Sequence, residues 1–298
     1  MQTKSSEVIF YTLLALLAFA ANSVLCRLAL AEHTIDPASF TVIRLLSGVT
    51  TFVILLNIFM GKRQTESARS RVAYGKQHWT SAIMLFVYAA AFSFAYVQLE
   101  TGVGALILFG SVQLTMISVS LIQGKTLTLI EWLGVCIAFS GLTYLVWPTL
   151  ETPNITGVIL MICAGVAWGF YSLAGKGSTN PLHDTATNFT LTVPFVLLLA
   201  LVSYAEVNIS ISGAVYAMLS GIFASALGYA IWYRALTGLS ATEASVLQLS
   251  VPVIAAIGGV VFVGEHLSFH LLIATSLVLG GIACVLLGNK VSSHSTMR

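Results

Sequence analysis

The stretch GKTLT at residues 124–128 stands between two long apolar runs, and GEHLS at residues 264–268 stands between two more, 140 positions later. The two read as one connector used twice, with Lys125 in the first copy where the second has Glu265. Working outward from them, apolar runs of spanning length recur at about 8–31, 38–60, 79–98, 103–123, 128–147, 156–175, 186–205, 211–233, 241–262 and 268–288. A lipid-spanning helix needs ~20 such residues, so the expectation is ten transmembrane helices. No alternating ten-residue strands occur, and lipid admits only helices or a closed barrel, so the expected fold is an all-α membrane protein. Composition agrees: of 298 residues 57% are hydrophobic and only 8% charged, with a mean hydropathy of +0.94.

Orientation follows from the basic residues. With the N-terminus in the cytoplasm, Lys4, Lys62, Arg63, Arg69, Arg71, Lys76, Lys125, Lys176, Arg234, Lys290 and Arg298 all fall on the cytoplasmic side. The outer loops then hold Glu32, Asp36, Glu100, Glu151, Glu206 and Glu265. Both termini are therefore expected inside, and Lys125 and Glu265 mark the two membrane sides. The basic loop at 61–78 reads as a cytoplasmic segment against anionic headgroups, so nucleic-acid binding is not expected. Ala18-Phe19-Ala20 imitates a signal-peptide cleavage site, but the apolar run continues to Ala31, which predicts an uncleaved first span.

Beyond the connectors, Gly141 aligns with Gly281 at the same offset. Phe19, Asn22, Ser23 and Arg27 align with Trp168, Tyr171, Ser172 and Lys176, and Tyr96 falls near Tyr233. Each unit has five spans, an odd number, so the second enters the membrane from the opposite side. The domain expectation is a first five-helix repeat at 1–150 and an inverted second repeat at 151–298, a design of carriers that hold substrate near the midplane.

Ten spans, the duplication, W-G-x-Y-S-L-x-x-K from Trp168 to Lys176, and PVIAAIGGVVFVGEHLS from Pro252 to Ser268 resemble the EamA family of the drug/metabolite transporter superfamily. The resemblance covers nearly the whole chain and is specific for fold rather than substrate. It implies an exporter of amino acids, other metabolites or drugs in the cytoplasmic (inner) membrane. The first half departs from the pattern, with Val112 opposite Pro252 and Lys125 opposite Glu265.

Polar and aromatic side chains within spans are costly toward lipid and so point inward or into a cavity. Phe19, Asn22 and Ser23 share a face of helix one; Trp168, Tyr171 and Ser172 share the equivalent face of helix six. These faces serve binding, or interhelical packing through Gly165 and Gly169. Tyr88 is too deep for an interfacial belt, whereas Tyr96, Trp232 and Tyr233 lie at belt depth. The expected substrate-binding set is Asn22, Ser23, Tyr88, Gln113, Trp168, Tyr171, Tyr229 and Gln248. Arg27, Arg44, Lys176 and Glu243 are possible charge partners. Arg27 and Lys176 are also placed to snorkel, and Glu243 to cap helix nine.

The inventory excludes several classes. Cys26, Cys136, Cys163 and Cys284 lie in apolar runs without metal-ligand spacing and read as buried small residues. The six histidines form no H-E-x-x-H pair, so neither a metal site nor another cofactor is expected. Gly-Lys-Thr at 124–126 is not a phosphate loop, because Val119 stands where the first glycine belongs. No carboxylate sits at mid-span, so no obvious proton relay exists. The N-x-S/T sequons at Asn154, Asn188 and Asn208 have meaning only in a eukaryotic secretory host. The resulting expectation is a secondary transporter of a small-molecule substrate in the lipid bilayer, with no catalytic residues. It would export metabolites such as amino acids by alternating access. Multidrug efflux is the alternative, ahead of a non-transporting receptor or scaffold and an intramembrane enzyme. No residue pattern assigns an oligomeric state.

Overall fold

With no water to receive backbone hydrogen bonds, an apolar chain winds into helices, and helices account for nearly all of the computed structural model. The structure describes residues 5–71, 75–124, 128–146, 155–175, 178, 180–236, 238–239, 247–248, 250–266 and 268–295. Lys125, Lys176 and Glu243 lie outside the described residues. Helices α1 (Ser5–Ala31), α2 (Pro37–Arg71), α3 (Lys76–Tyr96), α4 (Thr101–Ile122) and α5 (Leu129–Val146) come first. They are followed by α6 (Ile155–Gly175), α7 (Pro181–Leu191), α8 (Val193–Val202), α9 (Ile211–Leu219), α10 (Gly228–Leu236), α11 (Val251–Gly258) and α12 (Phe269–Ser295).

One break has an identifiable cause. Thr192 separates α7 from α8 just ahead of Pro194, which lacks the amide hydrogen a continuous helix needs. Between α9 and α10 the axis runs on through π-helical Ser220–Leu227, and α11 continues into π-helical Gly259–Val263. Among the described residues, seven helical segments are long and apolar enough to cross a membrane, and Leu129–Gly141, Val251–Val263 and Phe269–Val285 are shorter apolar helices. Large apolar side chains such as Phe10, Leu17, Leu198 and Phe262 stand exposed on helix surfaces, where lipid accepts them. The chain is a multi-pass membrane protein.

Packing is reciprocal: α6 lies chiefly against α3 and α4, whereas α1 lies against α9, α10, α11 and the π-helical segment between α9 and α10. The α4–α6 contact uses the glycines flagged by the sequence. A β-carbon at Gly165 would stand 2.5 Å from the Ser111 β-carbon and 2.6 Å from the Leu108 carbonyl oxygen. Gly165 of α6 therefore serves close packing against α4. Helices α5 and α12 pack backbone to backbone where Gly134 meets Gly281. The two quoted connectors turn alike: Gly124 and Gly264 have φ of 90° and 76°, the left-handed region that favours glycine. Thr128 and Ser268 then accept the backbone N–H of Glu131 and Leu271 at the start of the next helix.

Cys26 is buried, but Cys136 and Cys163 are exposed, which corrects the expectation of four buried thiols. An apolar run in a membrane has a lipid face as well as a core face, and a cysteine fits either.

Candidate functional site

Helix α3 is the ruler for the site, because Ser81, Tyr88, Phe92 and Tyr96 are all buried along it at i, i+7, i+11 and i+15. At its centre, Tyr88 meets side chains from four other helices or helical segments. Asn22 of α1 donates through Nδ2 to the Tyr88 hydroxyl at 3.2 Å, and its Oδ1 accepts from Ser220 Oγ at 2.6 Å. Arg44 of α2 is 1% exposed. Its Nη2 donates to the hydroxyls of Tyr88 and Tyr229, each at 3.2 Å, and its Nε to Ser225 Oγ at 3.0 Å. The guanidinium carbon stands 5.3 Å from the Tyr88 ring centroid and 5.0 Å from that of Phe92, within cation–π range.

Trp168 closes the other side, with ring centroids 4.8 Å from both Tyr88 and Tyr229 and 5.4 Å from Tyr171. Phe19 reaches Trp168 edge-on at 6.0 Å. The Phe19 face of α1 and the Trp168 face of α6 thus meet. Of the sequence-derived set, the structure joins Asn22, Arg44, Tyr88, Trp168, Tyr171 and Tyr229 through these contacts. Ser23, Gln113 and Gln248 are buried as well, but none of the three takes part in the hydrogen bonds linking Asn22, Arg44, Tyr88, Ser220, Ser225 and Tyr229.

Ser220 and Ser225 are the residues that sequence reasoning missed. They lie in the π-helical segment, where hydrogen bonds run from i to i+5 and residues five apart approach one face. Read with an α-helical period, they fall on different sides. Tyr96, Trp232 and Tyr233, whose depth allowed an interfacial belt, are buried inside the bundle. Depth along a helix does not fix which way a ring points around it.

The two ends of the ruler differ. Beyond Tyr96, Glu265 of the second connector reaches the N-terminus of α4 and accepts the Thr101 backbone N–H at 2.8 and 3.0 Å and its hydroxyl at 3.0 Å. Arg27 donates to Glu265 at 3.2 Å and to the Tyr96 carbonyl at 3.0 Å. A carboxylate on the positive end of a helix, also paired with guanidinium, is a favourable closure. Glu265 is therefore a structural clasp between the second connector, α1 and α4. Beside it Glu100 has its carboxyl pKa raised, by burial first and the charge of Glu265 second. At the opposite end a cavity of about 280 Å³ is lined by His78, Ser81, Gly175, Ser178, Asp184, Asn188 and Tyr233, among others. Asp184 accepts from Ser178 Oγ at 2.5 Å and lies 4.0 Å from His78 Nε2 and 3.9 Å from His183 Nδ1. Among the described residues no group of three or more His, Cys, Asp or Glu is placed to hold a metal ion.

Residues 155–287 match the EamA-like transporter family. An uncharacterized protein of Pseudomonas aeruginosa is 45% identical over 280 residues, spanning 94% of each chain. The uncharacterized transporter YyaM of Bacillus subtilis is 26% identical over 269 residues, covering 85% of this chain and 86% of that one. An uncharacterized transporter of Archaeoglobus fulgidus is 26% identical over 204 residues, 67% of this chain and 72% of its own. A protein crystal structure superposes with a TM-score of 0.65 at 17% identity, covering 95% of this chain and 98% of that one. That likeness is one of fold.

Proposed function

Since the chain belongs to the EamA-like transporter family and is thus a membrane transporter, we propose that it is a secondary carrier exporting a small metabolite by alternating access. Amino acids and related compounds are the first class to test. The carrier would be built from inverted five-helix repeats at 1–150 and 151–298, with both termini cytoplasmic in an inner membrane. The observation carrying this reading is the polar and aromatic centre, to which α1, α2 and α3 contribute Asn22, Arg44 and Tyr88. The later helices contribute Trp168, Ser220, Ser225 and Tyr229.

A site made by both halves changes its access when the halves rock against each other. The equivalent turns at Gly124 and Gly264 support the duplication, as does the reciprocal packing of α1 and α6. In this orientation the cavity at Asp184 opens to the cytoplasm, and the Arg27–Glu265 clasp seals the outer end. Substrate would enter past Tyr233, meet the ring cluster, and leave when the clasp parts.

The test is counterflow in proteoliposomes containing the purified full chain, using radiolabelled amino acids, organic acids, amines and nucleobases. Time-dependent accumulation of at least one compound above protein-free vesicles is the expected result. No accumulation from the whole panel, with protein shown folded and inserted, would overturn the proposal.

A further inference from the structure

Arg44 is the buried charge whose neighbours do not balance it. It lies about two turns, ~10 Å, into α2, well inside a hydrocarbon layer whose half-thickness is ~15 Å. A guanidinium has five N–H donors. Three are used on neutral hydroxyls, at Ser225, Tyr88 and Tyr229, while Nη1 is buried without a hydrogen-bond partner. Among the described residues no carboxylate comes within ion-pair distance of Arg44. Hydroxyls and the two ring faces offset only part of the cost of desolvating a full charge, and an anion on Nη1 would remove the remainder.

The same centre offers little to a positive group. The one fully buried acid among the described residues is Glu131, whose Oε2 is taken by the Thr128 backbone and hydroxyl in capping α5. Tyr229, whose hydroxyl accepts from Arg44, packs against Phe19 and Trp168, and these two rings also meet each other.

Resting on the carrier reading, we propose that the exported substrate is a net anion: a monocarboxylate on an apolar body of about one ring, its carboxylate held by Arg44 and lacking a balancing ammonium. Within the metabolite carrier this replaces amino acids, the class named first above, by organic anions, since a zwitterionic amino acid would leave its α-ammonium without a counter-charge.

Phenylacetate, L-phenylalanine and phenethylamine share one ring and differ in charge, so they form the probe series. They are measured by counterflow in proteoliposomes and by thermal shift of the detergent-solubilised full chain. Phenylacetate is expected to accumulate and to stabilise the protein, with phenylalanine and phenethylamine near background. Arg44→Gln should cut phenylacetate uptake at least ~10-fold, the loss of a charged hydrogen bond. Arg44→Lys, which keeps a cation, should retain more uptake than Arg44→Gln.

If Arg44→Gln does not fold, the wild-type charge series and Arg44→Lys decide. Uptake of phenylalanine or phenethylamine at or above that of phenylacetate overturns the inference and leaves the carrier reading standing. Unchanged phenylacetate uptake in both variants also overturns it. Stabilisation by phenylacetate without flux of any compound keeps the anion site and overturns the carrier reading. Neither binding nor flux with any of the three, in folded protein, overturns the inference.

Discussion

Arg27 and Arg44 are drawn into one bundle from adjacent helices, and their company differs. Arg27, 19% exposed, has the carboxylate of Glu265 and a backbone carbonyl. Arg44, 1% exposed, has hydroxyls, rings and a nitrogen with no acceptor. A guanidinium with its counter-charge already in place holds structure together. One left short of an acceptor at the centre of a transporter is available to a ligand. Converting each arginine toward the condition of the other tests the difference.

The largest effect is expected from giving Arg44 what Arg27 has. In Ser225→Asp a carboxylate replaces the hydroxyl that accepts from Arg44 Nε at 3.0 Å. The internal pair would occupy the charge, and phenylacetate counterflow should fall at least ~10-fold while the melting temperature holds or rises. Retained uptake would show that the charge of Arg44 is not what the site uses.

The reverse conversion is Glu265→Gln, which leaves Arg27 without its anion and the Thr101 amide with a neutral acceptor. Because both side chains still see some solvent, the expected loss is about 1–3 kcal/mol, below the cost of breaking a fully buried pair. It should appear as a lowered melting temperature. A cysteine placed at Leu99, buried in the turn between Tyr96 and Thr101 that the clasp holds, should react faster with a membrane-impermeant thiol reagent in this variant. Unchanged melting and unchanged labelling would mean that Glu265 closes nothing.

How far the sequence revealed this difference depends on which coordinate a residue reports. Hydropathy reports depth, so the long spans, Arg44 as a charge within one of them, and the Phe19 and Trp168 faces were legible. Angle around a helix was less so, because lipid and core are both apolar and hydrophobicity does not separate them. Depth therefore allowed a belt for Tyr96 and Tyr233 although they are buried, and Cys136 and Cys163 were placed in a core although they are exposed. Contacts distant in sequence were not legible. Lys125 and Glu265 could be read as marking opposite sides, but nothing in GEHLS says that its glutamate caps α4, 164 positions earlier. The π-helical register hid Ser220 and Ser225 for a different reason, since no α-helical period brings them together.

A smaller effect should follow from Tyr88→Phe, which leaves the ring and removes the hydroxyl that accepts from Asn22 and Arg44. Losing those acceptor positions beside a charged group should cost about 1–2 kcal/mol. Phenylacetate uptake should fall several-fold, less than in Ser225→Asp, because the charge of Arg44 remains. A loss as complete as that of Ser225→Asp would place the recognition in the phenol rather than the guanidinium.

The smallest expected effect is a pH dependence at the clasp. Partial desolvation and the charge of Glu265 raise the pKa of Glu100, while Arg27 and His266 pull it down more weakly. A carboxyl with a raised pKa in the folded chain binds its proton more tightly there than when unfolded. Between the unfolded and folded values the folded state thus carries more protons, and stability falls as pH rises through that window. The contribution is present below the ordinary carboxylate pKa and is lost as pH rises through the folded value. Glu100→Gln cannot ionise, so it should remove this slope and gain slightly on wild type near neutral pH, by under ~1 kcal/mol given solvent screening. The readout is the difference in melting temperature between the two proteins across the mildly acidic range. A difference independent of pH, or a variant less stable at neutral pH, would mean that Glu100 is not strained by its neighbour, and that Glu265 is fully neutralised by Arg27 and the end of α4.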